Sequence, residues 1–541
     1  TFSSRGLGDV YKRQKLYHIV ELVPLAGGKR DVPFVRALVE IPTDKLPRFF
    51  QFSSKDKKHY FTFLDDIIRA NIGRSFPKHR VAGCYSVKLS RDADLYVEDE
   101  HSGDLVEKIK DKLETRNKGI PSRFLYERQM PKDLLQYIAR RLDLDRFDLV
   151  PGGRYHNFHD FFGFANPEGV LPQFHPMPPL AVSELENAPS MMELMKQKDV
   201  MIHFPYQKFD YVTRFIEEAA DDEQVKEIKI TLYRVAGKSG VVNGLIKAAQ
   251  NGKSVTAFVE VKARFDEASN LYWAKEMEDA GVNVLYSIPG IKVHTKLCLV
   301  TRQEGNKLRR YAYTATGNFN EKTARIYCDE ALFTAHPGIA ADVDMVFRKI
   351  SGANDGLNFE HLLVASEWLM PGLCDLIDNE IAAANAGKKA EIFLKLNNLE
   401  EPTLIDKLYE ASNAGVKIRI VLRGICCLVP GMEGQSENIR VRSLVGRFLE
   451  HSRIYCFHNQ GDTKMYIASA DWMKRNMRRR VEVAVPIYDK ECRQRLLQML
   501  DIQWKDNVKS RRINKSQSNP YRKSSAKDRL EAQQAFYELL R

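Results

Sequence analysis

His294 lies in Gly-Ile-Lys-Val-His-Thr-Lys, and His451 lies in Leu-Glu-His-Ser-Arg. Each imidazole is thus paired, two residues on, with a fixed cation, Lys296 or Arg453, and Lys292, His294 and Lys296 alternate, so that in a strand all three would project to one face. Neutral imidazole is a competent nucleophile toward phosphorus, and a neighbouring cation both attracts phosphate and disfavours the imidazolium. Arginines stand at the ends of three strand-like stretches: Arg234 after Ile230-Thr-Leu-Tyr, Arg264 after Val255-Thr-Ala-Phe-Val-Glu-Val, and Arg423 after Lys417-Ile-Arg-Ile-Val-Leu. Guanidinium grips phosphate oxygens in a planar, bidentate way. A surface ion pair with Asp266 or Glu267 would account for Arg264 alone, but three arginines at matching strand ends point to phosphate.

The pattern is written twice. Ile230 to Val255 is 25 residues, as is Ile392 to Lys417, and Arg264 to His294 is 30 where Arg423 to His451 is 28. Thr316-Gly-Asn-Phe-Asn follows the first histidine and Ser469-Ala-Asp-Trp the second. Asn318 is suited to an oxyanion, and by spacing Glu330 and Glu482 would orient the two histidines. One strand histidine alone would be read as structural. A repeated frame points to two half-sites.

The elements that must position these groups follow from periodicity. Val225–Val235, Val255–Val261 and Val282–Ser287 read as strands, alternating with helices over Gly244–Gln250 and Glu267–Ala280 that stop at Gly252 and Gly281. The order restarts at Ala390, with a helix over Thr403–Asn413 stopped by Gly415. This β-α-β-α-β order predicts α/β domains with a largely parallel sheet, whose strand carboxyl ends line a ligand crevice. Upstream lies a mixed region with a strand at Leu38-Val-Glu-Ile and helices near Phe61–Asn71 and Leu105–Thr115. The loop Pro151–Phe161 holds His156 and His159, a pair too few for a structural metal site and better suited to packing or a substrate passage. A Pro-rich stretch, Leu171–Pro179, marks a boundary. Thr1–Gln14 reads as a non-native scar and is set aside.

At 541 residues the chain exceeds one core. A net charge of +12 favours an anionic partner. No apolar run reaches the roughly 20 residues of a membrane span, so no stable membrane insertion is expected. The eight scattered cysteines fit reduced thiols in a cytoplasm, and Cys426-Cys427 reads as packing. No P-loop or protein-kinase motif is present.

The histidine–lysine–asparagine frame resembles the phospholipase D superfamily. The chain departs from it at Thr301, where that superfamily has aspartate, and at Arg453 and Asp471. Longer strings resemble the polyphosphate kinase family of the histidine-phosphorylating class: Ile-Lys-Ile-Thr-Leu-Tyr-Arg-Val-Ala, Gly-Ile-Lys-Val-His-Thr-Lys-Leu, Thr-Gly-Asn-Phe-Asn-Glu-Lys-Thr-Ala-Arg and Ser-Ala-Asp-Trp-Met. That resemblance implies an α/β, multidomain α+β chain. A partial α+β domain over 15–184 would precede two phospholipase D-like α/β domains related by duplication, over 185–360 and 361–541. It implies an ATP:polyphosphate phosphotransferase working through a phosphohistidine at His294, with His451 as the second catalytic histidine. Tyr327, Arg423 and His451 would contact ATP. Arg234 and Arg264 would serve the magnesium–phosphate site, holding phosphates that carry Mg²⁺, since arginine cannot ligate a cation. Expected partners are ATP, ADP and inorganic polyphosphate and no nucleic acid; the full-length protein is expected to be a homo-oligomer, cytoplasmic or peripheral to the inner face of the membrane. The family's N-terminal helical domain has no counterpart here, so the chain is expected to be N-terminally truncated. The rival readings are a phosphodiesterase or phosphatidyltransferase of the phospholipase D superfamily and a non-catalytic polyanion binder.

Overall fold

Strand and helix follow the apolar periodicity in a computed structural model that describes residues 16–25, 34–52, 58–91, 121–166, 174–235, 239–260, 267–286, 291–353, 355–522, 525 and 528–541. The expected scar, the helix near Leu105–Thr115 and Arg264 lie outside the described residues. Contacts divide the chain into two units, Thr1–Phe174 and His175–Arg541.

In the first unit, β1 (Leu16–Pro24), β2 (Val35–Ile41), β5 (His79–Arg91), β6 (Pro121–Glu127) and β7 (Leu149–Gly152) form a sheet of order β2-β1-β5-β6-β7. A hairpin, β3 (Phe49–Phe52) with β4 (Tyr60–Phe63), leads into a helix over Leu64–Asn71. The His156 ring is buried and its Nε2 meets the Ser86 carbonyl at 3.2 Å, so this histidine packs. Arg48 holds the loop by pairing with Asp65 and Asp160.

The second unit contains the repeat. Its first sheet is built from β8 (Val200–Phe204), β9 (Val225–Leu232), β10 (Ser254–Val259), β11 (Asn283–Tyr286), β13 (Leu297–Glu304), β14 (Lys307–Ala315) and β15 (Tyr327–Thr334). β12 (Lys292–Val293) stands apart from that sheet. The order is β11-β10-β9-β13-β14-β15, with β8 also paired to β15. The second sheet uses β16 (Leu363–Val364), β17 (Glu391–Leu396), β18 (Lys417–Leu422), β19 (Ile439–Leu444), β21 (Arg453–Phe457), β22 (Lys464–Ala468) and β24 (Val483–Pro486). Its order, β19-β18-β17-β21-β22-β24-β16, repeats the first strand for strand, and β25 (Ser510–Ile513) is added beside β19.

Each sheet is mixed rather than largely parallel: three parallel strands run beside antiparallel ones. The cause is local. β13 turns into β14 through a hairpin at Gly305, whose φ of 58° suits glycine, and a short hairpin can join only antiparallel strands. The helices end as their glycines require. Gly240–Gln250 starts at Ser239, whose Oγ accepts from Val242 N at 3.4 Å, and Gly252 follows it with φ 80°.

The two repeats share a core. Leu297, Leu299, Leu332 and Val343 pack in one cluster with Ile454, Ile467, Val483 and Leu496. Short parallel pairings also stitch them together. β12 pairs with β23 (Arg480–Val481), and β15 pairs with β20 (Leu449–Glu450). These seams place the two histidines.

Candidate active site

His294 follows β12 directly, and its backbone N–H donates to Val481 O at 3.0 Å. The matching bond in the other repeat runs from His451 N to Cys328 O at 3.1 Å. Each histidine is thus anchored on the opposite repeat, one residue before a carboxylate. Glu482 Oε2 lies 3.0 Å from His294 Nδ1, and Asp329 Oδ1 lies 2.7 Å from His451 Nδ1. The carboxylates are almost fully buried, at 0 % and 5 % exposure, while the imidazoles keep 12 % and 14 %.

Glu482 is itself fixed. Its Oε2 accepts from Ser469 Oγ at 2.5 Å and its Oε1 from Asn476 Nδ2 at 2.6 Å. Burial would raise this carboxyl, but His294, Arg480 and Lys296 outweigh it and hold it at about 2. Burial, aided by Lys296 and Arg480 and opposed by Glu482, takes His294 down to about 3. The pair is therefore a carboxylate and a neutral imidazole at neutral pH. Nδ1–H donates to Glu482, which leaves the lone pair on Nε2. Tyr233 packs edge-on against this ring at 4.7 Å.

His451 differs where it matters. Arg453 Nη1 lies 3.2 Å from His451 Nε2, and Arg453 Nη2 pairs with Asp471 Oδ2 at 3.1 Å. The same Nη1 is 3.5 Å from His451 Nδ1, so the guanidinium lies against the His451 ring between its two nitrogens, whereas among the described residues no hydrogen bond falls on His294 Nε2. Lys296, at the position of Arg453, turns away and donates to the backbone carbonyl of His294.

The cations crowd. Lys296 is 1 % exposed, and burial together with Arg453 and Arg480 lowers it to about 7. Burial and Arg453 also lower Arg423, whose Nε donates to Glu450 O at 2.7 Å. Tyr327 meets the His451 ring at 5.2 Å, so Tyr327, Arg423 and His451 come together. The Arg234 guanidinium carbon lies 5.8 Å from the ring of its neighbour Tyr233, which packs on His294. Asn318 Oδ1 is buried without a hydrogen-bond partner among the described residues. Crowded, partly desolvated cations around an uncharged nucleophile suit an anionic guest.

Three expectations need correction. Glu330 orients neither His294 nor His451: on β15 it faces the side opposite to Asp329 and pairs with His203 of β8. Arg423 is not the counterpart of Arg264, because the residue that directly follows β10, as Arg423 follows β18, is Glu260. Glu260 is buried, and its Oε2 accepts from Val293 N at 3.0 Å, which fixes the His294 strand. Lys292, His294 and Lys296 do not line one strand face either, since β12 stops at Val293.

Asp329, Ser469 and Asn476 were missed from sequence. A signal existed for the first. Asn318 to Asp329 is 11 residues, as is Asp471 to Glu482, and Thr316 to Asp329 is 13, as is Ser469 to Glu482. Thr316 Oγ1 donates to Asp329 Oδ1 at 2.6 Å, as Ser469 does to Glu482. Gly317 completes this fit, because a Cβ there would lie 2.4 Å from Asp329 Oδ2.

The depressed imidazole has a measurable consequence. Between about pH 3 and 6.5 the unfolded chain carries a proton on His294 that the folded chain lacks. Stability therefore rises with pH across that window and is lost as pH falls. We expect the thermal midpoint to drop between pH 7 and pH 5, and His294→Asn to make that drop shallower. An unchanged slope would mean that the imidazole is protonated in the fold.

The chain matches the family models of the polyphosphate kinase middle domain over residues 10–164, C-terminal domain 1 over 190–355 and C-terminal domain 2 over 362–533. It is 44 % identical over 511 residues to a polyphosphate kinase of Vibrio vulnificus strain YJ016, covering 93 % of this chain and 73 % of that one. It is 41 % identical over 513 residues to a polyphosphate kinase of Escherichia coli K12, covering 93 % and 75 %. The crystal structure of polyphosphate kinase from Porphyromonas gingivalis superposes with a TM-score of 0.85 at 40 % identity, over 98 % of this chain and 78 % of that one. With three family models accounting for most of its length and relatives above 40 % identity, this chain belongs to the polyphosphate kinase family.

Proposed function

We propose that the chain transfers the γ-phosphate of ATP reversibly to the end of inorganic polyphosphate, through a phosphohistidine on His294. The observation that carries this reading is the pairing of His294 Nδ1 with the buried Glu482, which leaves Nε2 as the free nucleophile. In the forward direction Nε2 attacks the γ-phosphorus as the bond to the bridging oxygen breaks, and ADP leaves with that electron pair. A terminal phosphate oxygen of the polymer then attacks the phosphohistidine, the N–P bond breaks, and the polymer is one unit longer. Glu482 offsets the positive charge that develops on the ring. Lys296, Arg423 and Arg453 offset the charge on the phosphoryl group, where catalysis is mostly positioning and electrostatics. His451, held by Asp329, backs the Arg453 guanidinium and positions it for the group in transit.

Tyr327 and Arg423 would hold the nucleotide, and Arg234 and Arg264 its phosphates. Magnesium fits this scheme as part of the substrate, Mg·ATP. Arg234 offers nitrogen donors only, and no cluster of three metal-ligating side chains occurs among the described residues. The division into 15–184, 185–360 and 361–541 is proposed on the same footing. So are a cytoplasmic location and a homo-oligomeric state, which rest on the family resemblance. No helix among the described residues is long and apolar enough to cross a membrane.

Incubation with γ-labelled Mg·ATP tests the reading. An acid-labile, base-stable label on the protein and a growing inorganic polymer are expected. Absence of the label, or ATP-independent release of a lipid headgroup or cleavage of DNA, would overturn it.

A further inference from the structure

A second cationic site lies at the edge of the second sheet, outside the groups that act on the transferred phosphate. Arg440 and Arg442 are two apart on β19 and share a face. Arg440 pairs in register with Arg419 of the parallel β18, and Arg442 with Arg512 of the antiparallel β25. Four arginines therefore stand side by side on one face of three adjacent strands. Like charges directly opposite each other in a sheet are destabilising, so this arrangement works against the fold unless something anionic lies on it.

The ladder has a built floor. The Arg442 guanidinium lies 3.9 Å from the centre of the Trp504 ring, and that of Arg419 lies 4.2 Å from the Phe393 ring. Such stacking holds the two guanidiniums rigid while leaving their N–H edges to bind. Arg442 Nη1 is buried without a hydrogen-bond partner among the described residues. Burial, then Arg522, Arg512 and Arg440, lower Arg442 to about 10, the sign of a cation short of counter-charge. The nearby acids do little to supply it. Among the described residues Asp501 pairs only with Arg419, at 3.5 Å, and Asp506 is buried with its oxygens on the backbone N–H groups of Val508, Lys509, Ser510 and Ala532. A cavity of about 410 Å³ opens here, lined also by Lys515.

We propose that this arginine ladder is an exosite for the body of an inorganic polyphosphate chain. The proposal rests on the activity proposed above. Strands lie about 4.8 Å apart, so the ladder spans roughly 10 Å, which suits a run of linked phosphates better than a single ion. β18 carries Arg419 and runs on into Arg423, about 13 Å along an extended strand. A polymer with its end in the catalytic pocket has this face within reach. Nucleic acid fits less well, because the Trp504 face that a base would stack on is taken by Arg442.

The test uses the whole chain and the double variant Arg440→Gln/Arg512→Gln, two exposed positions apart from the proposed catalytic groups. Binding of end-labelled long polyphosphate is measured without nucleotide across a salt series, beside pyrophosphate as a ligand too short to span both sites. We expect the variant to bind the long chain about tenfold more weakly with a shallower salt dependence. Pyrophosphate binding and label uptake from ATP should stay as in the wild type. The variant's thermal midpoint should hold or rise, because like charges have been removed, while its upward shift on adding long polyphosphate should shrink. Unchanged long-chain affinity and salt slope would overturn the exosite. So would an oligoribonucleotide that binds more tightly per phosphate than polyphosphate and is lost in the variant. A wild type that takes no label from ATP would instead count against the catalytic reading, and the binding arms would still decide the ladder.

Discussion

Replacing His294 by alanine is expected to abolish phosphoryl uptake from ATP, lowering the rate by more than about 10⁴-fold, while His451→Ala keeps a detectable label on His294. The two histidines have reciprocal anchors on each other's repeat, and a symmetric site would predict equal losses. Arg453 breaks the symmetry. Both Nδ1 atoms face a carboxylate, but only His451 carries a guanidinium against its ring, with Arg453 Nη1 3.2 Å from Nε2 and 3.5 Å from Nδ1. A cation held on the ring face draws electron density from the imidazole and makes it the poorer nucleophile. His451→Ala should slow transfer by about 10²–10³-fold, the range for losing an electrostatic partner of the transition state. Rapid-quench labelling with γ-labelled Mg·ATP separates the two variants. A stable label that survives in His294→Ala and disappears in His451→Ala would reverse the assignment.

The duplicated frame was legible because strand starts, terminal glycines and histidines recur at nearly constant spacing, and the structure repeats strand order accordingly. Gly252, Gly281 and Gly415 announced their helix ends because only a residue without a side chain takes φ values of 80–96° freely. The partnership between the repeats was not legible. Local spacing ties a carboxylate to the histidine of its own copy, yet Glu482 serves His294 across 188 positions and Asp329 serves His451 across 122. Those contacts are made by the two-residue pairings of β12 with β23 and β15 with β20, which are too short to leave a pattern in the sequence. Asp329 and Glu330 are both acidic neighbours on a buried strand. Only the side of the sheet each one faces separates a group on the His451 imidazole from one that pairs with His203. The ladder of Arg419, Arg440, Arg442 and Arg512 was hidden for the same reason, since its members come from three strands that meet only in the sheet.

Glu482→Gln tests the orientation of the nucleophile more sharply than removing it, because the new side chain has nearly the same shape. Asn476 Nδ2 donates to Oε1, so the amide oxygen of glutamine is held at that position. The amide NH₂ then occupies the place of Oε2, 3.0 Å from His294 Nδ1, where it can only donate. To accept that bond, Nδ1 must give up its hydrogen, and the ring proton moves to Nε2. The nucleophilic lone pair is lost although every heavy atom stays near its place. A loss of about 10³–10⁴-fold in label formation is expected, as for other histidines forced into the wrong tautomer. Ser469 supplies the control. Its hydroxyl also donates to Glu482 Oε2 but can turn to accept from the amide, so Ser469→Ala alone should cost far less than Glu482→Gln. The NMR signals of His294 give a readout independent of rate: Nδ1–H in the wild type, Nε2–H in the variant. A Glu482→Gln protein that showed Nδ1–H and labelled at the wild-type rate would remove Glu482 from the mechanism and leave the burial of His294 as its only source of activation.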